Sequence, residues 1–125
     1  MGVNYRIDRA SRLVRGYAFG VLTNEDLRTQ YERMLADDAL RSDYRQLVDF
    51  REVTDVTVDE KEMRAAARAT VFDAGVRRAF VASCDAAYRF ANMFATYAYD
   101  AGQYIRVFRE IVDAERWLEV EPQTR

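Results

Sequence analysis

Few residues in this sequence have the chemical type and spacing to do chemistry. Asp49 and Arg51 flank Phe50 at the end of an apolar run, 46–50, where an acid and a base two residues apart can orient the polar group of a ligand. The competing role for such an aspartate, and the commoner one, is to satisfy backbone donors in the chain that follows. Thr57 is the hydroxyl at the start of the helix that follows, but Glu60 three residues on makes the pair a capping box, which already accounts for it. Cys84 stands ahead of a helical stretch, where the helix dipole favours thiolate. Asp85 beside it acts in the opposite sense, so a small buried residue is the better reading. Gly16, Gly20, Gly75 and Gly102 have no phosphate-binding spacing. Histidine is absent, which removes the commonest general base and the commonest metal ligand together. We therefore expect no catalytic residues, no metal and no cofactor.

The elements that must position these residues follow from periodicity. Val3, Tyr5 and Ile7 alternate with polar residues, and a turn over 9–12 leads into a second strand over 13–19, so the chain opens as a hairpin. Arg6, Arg9, Arg12 and Arg15 make that hairpin basic. Charge there protects a sheet edge from aggregation; its alternative use is contact with anionic lipid headgroups. Thr23 with Asp26 caps a first helix, on which Leu27, Tyr31, Met34 and Leu35 form an apolar stripe. The strand 46–50 comes next, followed by a loop over 51–56 and a second helix from about 58 to 74, ended by Gly75. A strand lies within 77–82, a third helix within 86–101, a last strand at 104–108 and a short amphipathic helix around Ile111 to Leu118. Residues 119–125, with the only proline, are expected to be a loose tail. The order is β-β-α-β-α-β-α-β-α: an α/β domain over 1–125, with a mostly parallel five-stranded sheet, one antiparallel edge strand and flanking helices.

Composition narrows the function classes. The chain has 125 residues, half of them hydrophobic, and a net charge of −2, so no overall electrostatic drive toward nucleic acid exists. A single cysteine forbids an intramolecular disulfide. The charged start, residues 1–9, is no secretory signal, and no apolar run approaches a membrane span, so a cytoplasmic protein is expected.

Three segments carry a family resemblance: Leu47-Val48-Asp49-Phe50-Arg51 with Val53, Arg78-Ala79-Phe80-Val81-Ala82, and Val107-Phe108-Arg109-Glu110 leading to Ala114 and Trp117-Leu118. With the opening hairpin and the Leu22-Thr23-x-x-Asp26 helix start, the chain resembles the SpoIIAA-like proteins, relatives of the STAS domains of anti-sigma-factor antagonists. That resemblance implies one of two roles. The antagonists carry a phosphorylatable serine at the start of the helix after this strand; here the region reads Asp55-Val56-Thr57-Val58-Asp59, without serine. The SpoIIAA-like branch is similar in fold to the lipid-binding lobe of Sec14-type carriers, which implies a small apolar ligand or contact with a membrane.

The third helix favours the second role. It carries Tyr88, Phe90, Met93, Phe94, Tyr97 and Tyr99 and is apolar nearly all round, so it must be covered on more than one side. A neighbouring helix or a homodimer partner would cover it; so would a ligand. The expected function is a non-enzymatic domain that binds a small apolar or amphipathic ligand between helices two and three. Tyr88, Met93, Phe94 and Tyr97 are its expected walls, Asp49 and Arg51 its polar anchors, and peripheral membrane contact an associated property. The alternative is a STAS-like interaction module, docking a kinase or sigma-regulating protein partner through the loop holding Asp55 and Thr57.

Overall fold

Val, Ile, Phe and Tyr at alternate positions build a five-stranded sheet whose strands lie in sequence order. The computed structural model describes residues 2–122. The strands are β1 (Val3–Asp8), β2 (Leu13–Leu22), β3 (Arg45–Val56), β4 (Arg77–Val81) and β5 (Tyr104–Phe108). β1 runs antiparallel to β2 at one edge, and every other pairing is parallel. Each parallel step returns through a helix: α1 (Asn24–Leu35), α2 (Glu60–Arg68) and α3 (Asp85–Asp100), with α4 (Ile111–Leu118) after β5. The α/β architecture expected from periodicity is the one found. No helix among the described residues is long and apolar enough to cross a membrane.

Strand alternation assigns the two faces. Ala18, Phe50, Phe80 and the inner residues of α2 and α3 form one core, while Leu13, Leu47, Ala79 and Val81 pack with Ala114 and Leu118 of α4 in another. Val14, Met34, Tyr44 and Phe72 close the α1 end of the first face. Three helices therefore cover one face and a single short helix covers the other.

Two element boundaries depart from expectation. Residues 51–56 are strand, not loop: β2 continues to Leu22 and pairs with β3 out to Val56. β3 puts one extra residue against β2 between Tyr17↔Asp49 and Phe19↔Glu52, and another between Gly20↔Val53 and Val21↔Asp55. These bulges let the strand bend past the end of β4, whose pairing with β3 stops at Asp49. The second helix is also shorter at both ends than 58–74. It begins after Asp59, whose carboxylate accepts from Glu62 N at 2.8 Å, so Asp59 and not Thr57 is the N-cap. Thr57 instead ties β3 to β2, donating its backbone N–H to Leu22 O at 2.9 Å. The helix ends at Arg68 because Thr70 leaves the helical path: its hydroxyl accepts from Phe72 N at 3.1 Å and donates to Gln103 Oε1 at 3.0 Å. The loop that results buries Phe72 and ends at Gly75, whose φ of 82° suits a residue without a side chain.

The start of the chain's last segment is tied down. Glu119 caps α4 in the left-handed conformation, Val120 N donates to Glu115 O at 3.1 Å, and Glu121 O accepts from Arg15 at 3.3 Å. Residues 123–125 of the expected tail lie outside the described residues. The basic hairpin is likewise partly spoken for. Arg12 pairs with Asp43 and lies over the Tyr44 ring, and Arg15 is buried beneath the segment that follows α4. Only Arg6 and Arg9 remain as outward charge of the kind an edge or a headgroup would meet.

The cap assignment is directly testable. Asp59→Ala should lower the urea midpoint of unfolding, and Thr57→Ala should lower it less; equal losses would contradict the observed start of α2.

Candidate functional site

An enclosed concave site lies on the three-helix face, between α1, α2, the loop over 69–72 and the sheet. It is a cavity of about 80 Å³. Val48, Phe50 and Phe80 rise from the sheet as its floor, and Phe90 and Phe94 of α3 close one side. Leu27, Tyr31 and Met34 come from α1, and Ala66 from α2. The spacing in each element explains the assembly: Val48 and Phe50 are two apart on a strand, and Leu27, Tyr31 and Met34 recur at helical period. Small side chains leave the room. Ala18, Ala66 and Ala69 line the space, and Gly16 lets Val48 sit where a Cβ on residue 16 would come within 3.3 Å of it. Several waters, or the head and first carbons of a small molecule, would fill such a volume.

At one end of this apolar space sits a buried polar network. Arg78 of β4 is only 6% exposed. Its Nε donates to Gln46 Oε1 and its Nη1 to Gln103 Oε1, both at 2.9 Å. Gln103 Nε2 in turn donates to Phe72 O at 3.1 Å, and the Arg78 guanidinium lies 4.7 Å from the centre of the Phe72 ring. Burial pushes the Arg78 pKa down to about 9, which still leaves the group charged at neutral pH. Gln30 lines the same cavity; its Nε2 donates to Asn4 O at 3.0 Å, and its Oε1 is buried with no hydrogen-bond partner among the described residues. Gln46, Arg78 and Gln103 were not singled out from the sequence. The one available signal was polar residues at core-facing positions of otherwise apolar strands, visible once the register is known.

The residues expected to form a single site are divided by the sheet. Asp49 and Arg51 share the sheet face that α4 covers, with Leu47 two residues before them. They form a bidentate pair, Arg51 Nε to Asp49 Oδ1 at 2.9 Å and Nη2 to Oδ2 at 2.8 Å, and Asp49 Oδ1 also accepts from Arg51 N at 3.0 Å. That hydrogen-bonded carboxylate raises the Arg51 pKa. The pair is closed on itself and lies across the sheet from α3, so it cannot anchor a ligand held there.

Of the four α3 residues, Phe94 alone lines the cavity. Tyr97 donates to Glu60 on α2 at 2.9 Å with Arg64 over its ring, and Tyr88 lies under Arg109 at 3.8 Å. Met93 is 45% exposed on the outer face. Helix geometry is the reason: Phe90 and Phe94 share the inward face, while the others point along or away from it. Asp55 and Thr57 are exposed at the end of β3, where Asp55 Oδ1 accepts from Val56 N at 2.8 Å. Cys84 is partly rather than fully buried; it packs against the core and directs its thiol at Val53 O, 3.3 Å away.

No protein-family model matches the sequence, and no curated protein matches it significantly. A solved structure does match: the crystal structure from Shewanella loihica of an uncharacterized protein of the DUF3478 family, described as having a SpoIIAA-like fold. The two chains are 17% identical and superpose with a TM-score of 0.60 over 94% of each. The protein therefore has a SpoIIAA-like fold, as the three apolar segments implied.

The division of α3 has an energetic consequence. Phe94→Ala should destabilise the domain by about 3 kcal/mol, the low end of the range for a buried ring because Phe94 already borders empty space. Tyr97→Ala should cost under about 1 kcal/mol. Denaturant titration of the two variants checks this, and comparable losses would mean that Tyr97 is buried in solution.

Proposed function

We propose that this SpoIIAA-like domain binds a small amphipathic ligand without transforming it, and that the ligand occupies the cavity between α1, α2 and the sheet. The observation that carries this reading is the composition of the cavity: apolar walls on most sides and a charged, buried guanidinium at one end. An apolar pocket with a few convergent polar groups is the usual form of a small-molecule site. Packing alone does not call for it, since unfilled core volume destabilises a fold and Ala66 and Ala69 are positions where a larger side chain would fill the gap. The cavity is about half the size of an engineered cavity of about 150 Å³ that binds benzene. A ligand with more than a few carbons would then reach the surface. The half-buried Gln30, Tyr31 and Val71 mark where the wall meets solvent, between α1 and the loop.

This reading keeps the expected ligand class and moves its position. The ligand lies beneath α1 and α2, with the inward face of α3 as one wall, and the α4 side of the sheet takes no part.

The test is a titration with hexanol and hexanoate, followed by amide chemical shifts. At least one should bind, with shifts centred on Val48, Ala66 and Phe94. Ala66→Leu, which fills the cavity from α2 without harming helix propensity, should stay folded and weaken binding roughly ten-fold or more. Arg51→Ala should leave affinity unchanged. Shifts centred on Asp49 and Arg51 instead would place the site on the opposite face.

A further inference from the structure

Resting on that reading, we infer that the ligand is a small monocarboxylate and that Arg78 receives its charge. Arg78 sits in the middle of the sheet, with β3 on one side and β5 on the other, and its side chain is directed to the three-helix face. A guanidinium carries five N–H donors. Two are engaged, and both go to glutamine oxygens, which solvate a cation without neutralising it. Among the described residues no carboxylate pairs with Arg78. Burial is accordingly the one influence on its acidity, with no acidic neighbour to oppose it.

A buried charge without a counter-charge is costly, and an apolar side chain of similar volume would serve packing better. The cost is recovered if the counter-charge comes with a guest. The cavity supplies the place, because Arg78 is part of its lining. Gln30 adds an independent sign. Its amide orientation is set by the bond from Nε2 to Asn4 O, which leaves the buried Oε1 as an acceptor in need of a donor. A hydrocarbon guest leaves both groups unmet. A carboxylate brings the counter-charge that Arg78 lacks, and water entering with it can donate to Gln30 Oε1.

Charge and size favour a carboxylate over a phosphate. One guanidinium balances one negative charge, and a dianion would bring an excess charge into apolar surroundings. A carboxylate is planar and matches the paired donors of a guanidinium edge. The tail then lies along Val48, Phe50, Phe80 and Phe94.

The experiment compares hexanoate, hexanol and hexyl phosphate on the wild-type protein by calorimetry at neutral pH. Hexanoate should bind roughly ten-fold or more tighter than hexanol, the scale of a hydrogen bond to a charged group, and tighter than hexyl phosphate. In Arg78→Met the preference for hexanoate should vanish while hexanol still binds, which would show that fold and cavity persist. The wild-type comparison stands without that variant if it does not fold. Equal affinity for hexanoate and hexanol would overturn the role of Arg78 and leave the cavity reading in place. Tighter binding of hexyl phosphate would overturn the carboxylate class, and no binding of any of the three would sink both.

Discussion

The constraint on which this structure depends is that its sheet is covered on both faces. Where β3 and β4 pair, the strands have no solvent side, so the residues from Gln46 to Phe50 and from Arg78 to Val81 are directed to one of two covered faces. Leu47, Ala79 and Val81 enter the α4 interior, and Gln46, Val48, Phe50, Arg78 and Phe80 enter the other. For apolar residues this is ordinary packing. For Arg78 it means that a charge in the middle of β4 cannot reach bulk water, so its surroundings must solvate it. Gln46 on β3, Gln103 just before β5 and the loop around Phe72 are arranged to do so.

That arrangement shapes the helix layer above it. Thr70 ends α2 and turns the chain down toward Gln103, and the early end of the helix leaves the space that α1 and the loop enclose. The cavity and the short α2 are thus two results of one local event. A helix continuing to Ala74 would carry the chain past Gln103 and remove Phe72 O from its amide. On the opposite face α4 packs its own alanine and leucine directly onto Leu13, Leu47 and Ala79, and the hollow there is an open one beside Arg106, Phe108 and Trp117. The structural asymmetry of the domain follows from the unequal covering of its two faces.

Much of the fold was legible in the sequence because it rests on local signals. Alternating residues in β1, the Thr23 and Asp26 cap of α1 and the stripe of Leu27, Tyr31 and Met34 each declare an element within a few residues. The boundaries that shifted did so through partners distant in sequence. Residues 51–56 became strand because β2 extends to pair with them, and Thr57 lost its cap role because Leu22 O engages its N–H. The candidate site was legible only in part. Phe94 belongs to it, but Asp49 and Arg51 fell on the other face and Tyr88, Met93 and Tyr97 lie off its wall.

By itself the sequence determined the α/β class, the order of nine elements, the absence of histidine-based chemistry and the resemblance to a SpoIIAA-like fold. These depend on composition and on contacts between near neighbours in the chain. Tertiary structure decided which polar residues are buried together and on which face. Strand periodicity states that Gln46 and Val48 share a face and that Asp49 faces the other way, but not which helices cover either. Only the parallel register, which sets Gln46 beside Arg78, and the crossover that brings Gln103 to them assemble three residues that are, within the chain, unremarkable polar side chains. Their meaning is a matter of burial, and burial belongs to the whole fold.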